Sequence, residues 1–142
     1  MIVHLLSALL MMTALERPTE LPLESGLVFQ NKPWEELKAQ AKQEKKLFFV
    51  MFSAGYCAPC HQMEQTTFRQ EKLGGFAQQH VVALKLDIQS FMNDDIMWAQ
   101  QYEVNEVPTM LIFNTKGKLC NRFTGYKSAK ELLAIFEKAY AP

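Results

Sequence analysis

Leu47-Phe48-Phe49-Val50-Met51-Phe52-Ser53-Ala54-Gly55-Tyr56-Cys57-Ala58-Pro59-Cys60-His61 is the stretch that decides the fold. Its first six residues are apolar without alternation, the pattern of a central strand buried on both faces. Behind the strand come two cysteines three positions apart, with Pro59 near the start of a helix, where a missing N–H is harmless. Thiols at this spacing, with a helix starting at the first, lie close enough to close a small disulfide ring. Cys57 is then expected to sit exposed at the helix N-terminus, with Cys60 one turn inside. Unpaired N–H groups and the positive end of the helix dipole favour a thiolate there, so Cys57 is the expected nucleophile, with a lowered pKa.

Upstream, Trp34, Leu37 and Ala41 recur at helical spacing behind Pro33, with Glu35, Glu36, Lys38, Lys42 and Lys45 on the other faces. This predicts a surface helix covering one side of a sheet. Downstream, a helix runs from about Cys57 to about Phe68, and Gly74-Gly75 is expected to interrupt the helical stretch after it. Val81 to Ile88 reads as a second strand. Asn93-Asp94-Asp95 supplies an N-cap and an acidic first turn for a helix carrying Ile96, Met97, Ala99 and Tyr102. Met110 to Phe113 and Lys118 to Phe123, joined by Asn114-Thr115-Lys116-Gly117, read as a β-hairpin. Ser128 and Glu131 form a capping box that opens a last helix through Leu132, Leu133, Ile135, Phe136 and Tyr140. Helix, strand, helix, strand, helix, hairpin, helix is an α/β order.

A chain of 142 residues with 49% apolar content suits one domain around one core. Net charge is zero and the Lys and Arg residues are scattered, which argues against nucleic acid, an acidic-substrate channel and electrostatic steering of a partner. Three cysteines are too few for a disulfide scaffold, and the leftover Cys120 reads as a small buried hydrophobe. A structural disulfide across so short a loop would restrict the unfolded chain little, which favours a redox role for Cys57 and Cys60. Zinc needs a second ligand pair, and Cys120, His4, His61 and His80 have no spacing that pairs them, so no metal is expected. Residues 1–15 carry no charge and read as a secretory signal, too short for a membrane span of about 20 apolar residues. That implies a periplasmic or otherwise exported protein, the competing readings being an N-terminal membrane anchor or a cytoplasmic chain with a buried first helix. Residues 16–32, with Pro18, Pro22 and Gly26, read as a linker into a domain spanning 33–142.

The buried strand running into Cys57-Ala58-Pro59-Cys60, the Val107-Pro108-Thr109 step before a hairpin, and Gly125 ahead of the capped helix resemble thioredoxin-fold proteins. Trp34-Glu35-Glu36-Leu37, Gly55-Tyr56, Met63-Glu64 and Phe68 are similar to an exported branch related to the C-terminal domain of thiol:disulfide interchange proteins. The resemblance implies a thioredoxin fold, with a central mixed sheet flanked by helices. It further implies a cis Val107-Pro108 bond beside the Cys57 sulfur. Tyr56, Val107, Pro108 and Thr109 would then hold an extended substrate strand. By the same resemblance, Cys57 attacks a substrate disulfide and Cys60 resolves the mixed disulfide.

The chain departs from the thioredoxin pattern around the thiols. Met51 stands six positions before Cys57, where the family usually carries a buried Asp. Lys85 occupies the position that normally accompanies that Asp, so its ammonium must reach water or another partner. Tyr56 replaces the usual Trp, and His61 stands where Lys is common, which makes a nearby positive charge pH-dependent. His61, Lys85 and Glu64 are therefore the candidates for tuning the thiols, with Glu64 or a water as the proton relay. The function expected is thiol:disulfide exchange with protein substrates, as a reductant fed by an upstream redox partner. No cofactor beyond the Cys57–Cys60 disulfide is needed, and a monomer is expected. The rival is a non-catalytic binding module that holds a partner chain at the Val107-Pro108 loop.

Overall fold

The computed structural model describes residues 25–90 and 94–142. The charge-free run 1–15, residues 16–24 of the linker reading, and Asn93 of the expected N-cap lie outside the described residues. The first helix, α1, spans Trp34–Gln43, and the decisive apolar run forms strand β1 (Leu47–Ser53). Helices α2 (Ala58–Gln65) and α3 (Glu71–His80) follow, separated by a single 3₁₀ turn at Thr67–Arg69. Strand β2 (Val81–Asp87), helix α4 (Asp95–Gln101), strands β3 (Thr109–Phe113) and β4 (Leu119–Thr124), and helix α5 (Ala129–Tyr140) complete the order.

The sheet runs β2-β1-β3-β4. Strand β1 pairs parallel with β2 and antiparallel with β3, and β3 pairs antiparallel with β4. This is the mixed sheet expected from the sequence, and β1 is buried at every position because both of its faces are covered. Its side chains alternate between two cores. Leu47, Phe49 and Met51 join Cys57, Cys60 and Met63 of the α2 region, Leu73 and Ala77 of α3, and Leu132 and Phe136 of α5. Phe48, Val50 and Phe52 face Trp34, Leu37 and Ala41 of α1 and Ala99 of α4. Trp34 anchors the second core, stacking on Trp98 at 4.5 Å and Tyr102 at 5.3 Å with Phe48 edge-on at 5.3 Å. The capping box is present, with the Glu131 N–H donating to Ser128 Oγ at 3.2 Å and the Ser128 N–H donating to Glu131 Oε2 at 2.8 Å.

Two local expectations are corrected. Helix α3 runs unbroken through Gly74 and Gly75, because tertiary packing outweighs the low helix propensity of glycine here. A Cβ on Gly74 would lie 2.3 Å from the Ser25 carbonyl oxygen and 2.7 Å from Gly26 Cα, so glycine is required where the N-terminal segment crosses the helix. As expected, Asp94 takes the N-cap position of α4 and Asp95 makes its first turn acidic, although Asp94 forms no side-chain cap bond and the Asp95 carboxylate accepts the Asp87 N–H at 2.8 Å. Cys120 is exposed, because β4 is an edge strand that shifts register beside it; its Sγ donates to the Ile112 carbonyl at 3.3 Å. Of the segment read as a linker, residues 25–32 are described. Leu27 there is buried, and its N–H donates to the Phe68 carbonyl at 2.7 Å.

The two adjacent glycines give a paired test of this packing. Gly74→Ala is expected to lower unfolding free energy by about 1–3 kcal/mol, as overpacking does. Gly75→Ala, which meets nothing within 4 Å, is expected to raise it by about 0.5–1 kcal/mol. Urea melts of both variants check the pair, and equal effects of the same sign would contradict the crossing.

Candidate active site

Strand β1 ends at Ser53, and the chain turns at once, the Cys57 N–H donating to the Ala54 carbonyl at 3.1 Å. Cys57 is the N-cap of α2: its sulfur accepts the Cys60 N–H at 3.2 Å, and its carbonyl accepts the His61 N–H at 3.2 Å. Pro59 lies within the first two helical positions, where an N–H would have no helical partner. Cys57 and Cys60 form a disulfide, with Cα atoms 5.3 Å apart. The sequence expectation of an exposed Cys57 is corrected, since the residue is only 3% exposed and Cys60 is fully buried. The capping geometry folds the sulfur back over the first turn, and the bond to Cys60 draws it toward the apolar cluster with Met63 and Met110. Tyr56, just before it, is 69% exposed.

The second wall comes from β3. The register pairs Phe52 with Thr109, which puts Pro108 at the end of the sheet where β1 delivers the cysteines. The Val107–Pro108 bond is cis, and the Gly125 N–H donates to the Pro108 carbonyl at 3.0 Å. Val107 is half-buried and packs against the cluster that contains both cysteines. Thr109 is fully buried, its hydroxyl donating to the Glu106 carbonyl at 2.6 Å, so it braces the loop from within.

His61, Glu64 and Lys85 form one polar line beside the disulfide. The His61 Nε2 lies 2.9 Å from the Gly55 carbonyl, and its Nδ1 lies 3.5 Å from Glu64 Oε2. The other Glu64 oxygen accepts from Lys85 Nζ at 2.5 Å. Lys85 pairs across the strands with Met51, and its ammonium reaches both water and Glu64. The Gly55 carbonyl is the main influence raising the His61 pKa; desolvation opposes it, and the Glu64 carboxylate adds more than the Lys85 charge removes. Only the imidazolium can donate to both partners at once. Burial pushes the Glu64 carboxyl up, but the Lys85 hydrogen bond and charge, helped by His61, hold it below the usual glutamate range.

Sequence reasoning missed Gln89, whose side-chain oxygen accepts the Gly55 N–H at 2.8 Å and so pins the turn before Tyr56. Its own N–H is held by Asp87 Oδ1 at 2.9 Å. No periodicity or motif marks Gln89, because it acts from a loop. Partial desolvation of its side chain pushes the Cys120 thiol up, which disfavours its thiolate. Among the described residues, no group of three or more His, Cys, Asp or Glu side chains gathers to hold a metal, and no helix is long and apolar enough to cross a membrane.

The family model of the thioredoxin-like domain matches residues 34–140. The chain belongs to the thioredoxin-like family. The thiol:disulfide interchange protein DsbD of Campylobacter jejuni is 29% identical over 104 residues, covering 73% of this chain but only 18% of that relative. Thioredoxin H-type 1 of Nicotiana tabacum is 31% identical over 124 residues, covering 84% of this chain and 89% of the tobacco protein. The oxidised C-terminal domain of DsbD from Neisseria meningitidis superposes with a TM-score of 0.61 at 16% identity, over 79% of this chain and 98% of that domain, a likeness of fold.

In this thioredoxin-like domain the polar line has a definite pH signature. The raised His61 pKa contributes stability that is complete below the unfolded value of about 6.5 and is lost as pH rises through the folded value. The lowered Glu64 pKa contributes stability present above its unfolded value and lost as pH falls through the folded one. Glu64→Gln is therefore expected to move the His61 titration midpoint down, read from its ring protons by NMR. A midpoint that stays put would remove Glu64 as a partner of His61.

Proposed function

We propose that this domain is a thiol:disulfide oxidoreductase that reduces disulfides in protein substrates. The observation that carries the reading is the Cys57–Cys60 disulfide at the junction of a buried strand and a helix N-terminus, next to the Val107–Pro108 loop. In the reduced domain the Cys57 thiolate is stabilised by the Cys60 N–H and the first turn of α2. It attacks one sulfur of a substrate disulfide, and the other substrate sulfur leaves as a thiolate. Cys60 then loses its proton and attacks the Cys57 sulfur, releasing the second substrate thiol and leaving the Cys57–Cys60 disulfide. Two electrons have passed to the substrate, and an upstream dithiol partner returns them.

Glu64 lies one helical turn beyond Cys60 and is held ionised by Lys85, so it is available to accept the Cys60 proton in place of the buried acid that Met51 replaces. Tyr56 offers an exposed aromatic face, and the backbone of Val107 and Pro108 offers pairing to an extended substrate chain. The Ala58-Pro59 pair between the cysteines is nearer the Gly-Pro of reducing thioredoxins than the Pro-His of the strong oxidant, in a range of about −270 to −120 mV. The charge-free run at residues 1–15 supports an exported location, with thiol proteins there as partners.

Insulin reduction by wild type is expected to fall to background in Cys57→Ser, while Cys60→Ser is expected to trap a mixed disulfide with substrate. Equal background turnover in wild type and Cys57→Ser would favour a binding module instead. Equilibration with glutathione is expected to give a potential in the reducing half of the range, and a value above about −150 mV would overturn the direction.

A further inference from the structure

The segment Leu27–Gln30 precedes the family match, yet it is fastened to β2, which carries Lys85, and to the 3₁₀ turn that follows the helix carrying Glu64. Phe29 forms a parallel bridge with Ala83, two residues before Lys85 on β2, and the Gln30 N–H donates to the Ala83 carbonyl at 2.8 Å. On the other side, the Leu27 N–H donates to the carbonyl of Phe68, four residues after Glu64 and just past the end of α2. The Phe29 ring stands edge-on to Phe68 at 5.0 Å and tilted to Phe49 at 6.2 Å, so neighbours on two elements fix its orientation. Lys85 Nζ lies 5.9 Å from the centre of that ring.

We propose that Phe29 is a positioning residue for the Lys85–Glu64 pair, which makes its ring, with the backbone bonds of Leu27 and Gln30, part of the apparatus beside the disulfide. Lys85 is on β2, an edge strand, and its side chain is 40% exposed, so nothing in the strand alone keeps the ammonium from turning into water. The Phe29 ring attracts the ammonium to its face and excludes water on that side, leaving Glu64 as the anionic partner. The bridge to Ala83 and the bond to Phe68 tie β2 to the 3₁₀ turn just after α2, which limits the separation that the pair spans. The charged groups facing Glu64 are then Lys85 from β2 and His61 from its own helix, while the Arg69 guanidinium bonds the Glu64 backbone carbonyl at 3.2 Å. The consequence for thiol exchange rests on the function proposed above, but the positioning itself is read without turnover.

The test uses the full chain and NMR titration of the Glu64 carboxyl and the His61 ring. Lys85→Gln calibrates the loss of the ammonium: both midpoints are expected to rise, because Glu64 loses its cation and His61 faces a less neutralised carboxylate. Phe29→Leu, which keeps an apolar side chain but no ring, is expected to move both midpoints up in the same sense. Phe29→Tyr is expected to restore them, and Val28→Ala, a change at an exposed neighbour, to leave them unmoved. General loosening of the site would instead break the His61–Glu64 contact and lower the His61 midpoint. Unchanged midpoints in Phe29→Leu, or a fall at His61, would overturn the proposal. Should Phe29→Leu fail to fold, Phe29→Met is read in the same way. Absence of insulin reduction by wild type would remove the proposed function and leave these titrations standing.

Discussion

Burial of β1 on both faces is the constraint on which the other elements depend. A strand with apolar side chains at every core position has no face it can leave in water, so helices must cover the sheet on both sides. Leu47, Phe49 and Met51 require α2, α3 and α5; Phe48, Val50 and Phe52 require α1 and α4. The strand's hydrogen bonds go to β2 on one side and β3 on the other, which makes it central. A central strand fixed in three directions is a rigid delivery arm. Its end sets the position of Cys57 through the turn at Ala54–Cys57, and its pairing of Phe52 with Thr109 sets the position of Pro108. The two walls of the site are thus tied to one strand, and their spacing is a property of the core.

The same rigidity explains where the charge near the thiols has gone. Position 51 faces the core shared with the cysteines, and Met51 there offers Lys85, its cross-strand neighbour, no counter-charge. An unpaired ammonium in that core would be costly. Because β2 is an edge strand, Lys85 can leave the core, and Glu64 meets it at the surface. A half-exposed pair in contact with water is individually weak. Its importance is that it places a fixed anion one turn from Cys60 and against His61, where the buried cysteine core has no charge of its own.

What the sequence made legible follows from the range of each interaction. β1, the hairpin with Gly117 in its turn and the Ser128–Glu131 capping box are local patterns, and each was readable from neighbouring residues. The Cys57–Cys60 pair was readable for the same reason. Gly74 and Gly75 misled because their role is tertiary: Gly74 admits a crossing chain whose position no local pattern encodes. Cys57 was expected in the open because a helix N-terminus is usually wet, whereas the disulfide and the capping bond hold its sulfur inward. Gln89 and Phe29 act across 34 and 54 residues of sequence respectively, on Gly55 and Ala83. For Phe29 a signal existed in the apolar run Leu27-Val28-Phe29, which is strand-like between polar neighbours and ill suited to a linker.

Access to the sulfur follows from these placements. In the disulfide form Cys57 is 3% exposed, while Tyr56, next to it in the chain, is 69% exposed and Val107 packs against the cysteine cluster. A thiol borne on a broad, rigid surface meets Tyr56 before it meets sulfur. On the proposed function, a thiol on an extended strand would lie along the loop, since a strand is narrow and satisfies its own backbone groups by pairing as it approaches. Backbone pairing is indifferent to side-chain identity, so on the proposed function the site would select for chain conformation more than for sequence. The zero formal net charge of the chain is consistent with this, because neither sign of charge on the partner would be favoured at long range. On the proposed function, selectivity would then rest on the few side chains that reach the rim, Tyr56, Ala58, His61 and Gln62 being exposed beside the disulfide.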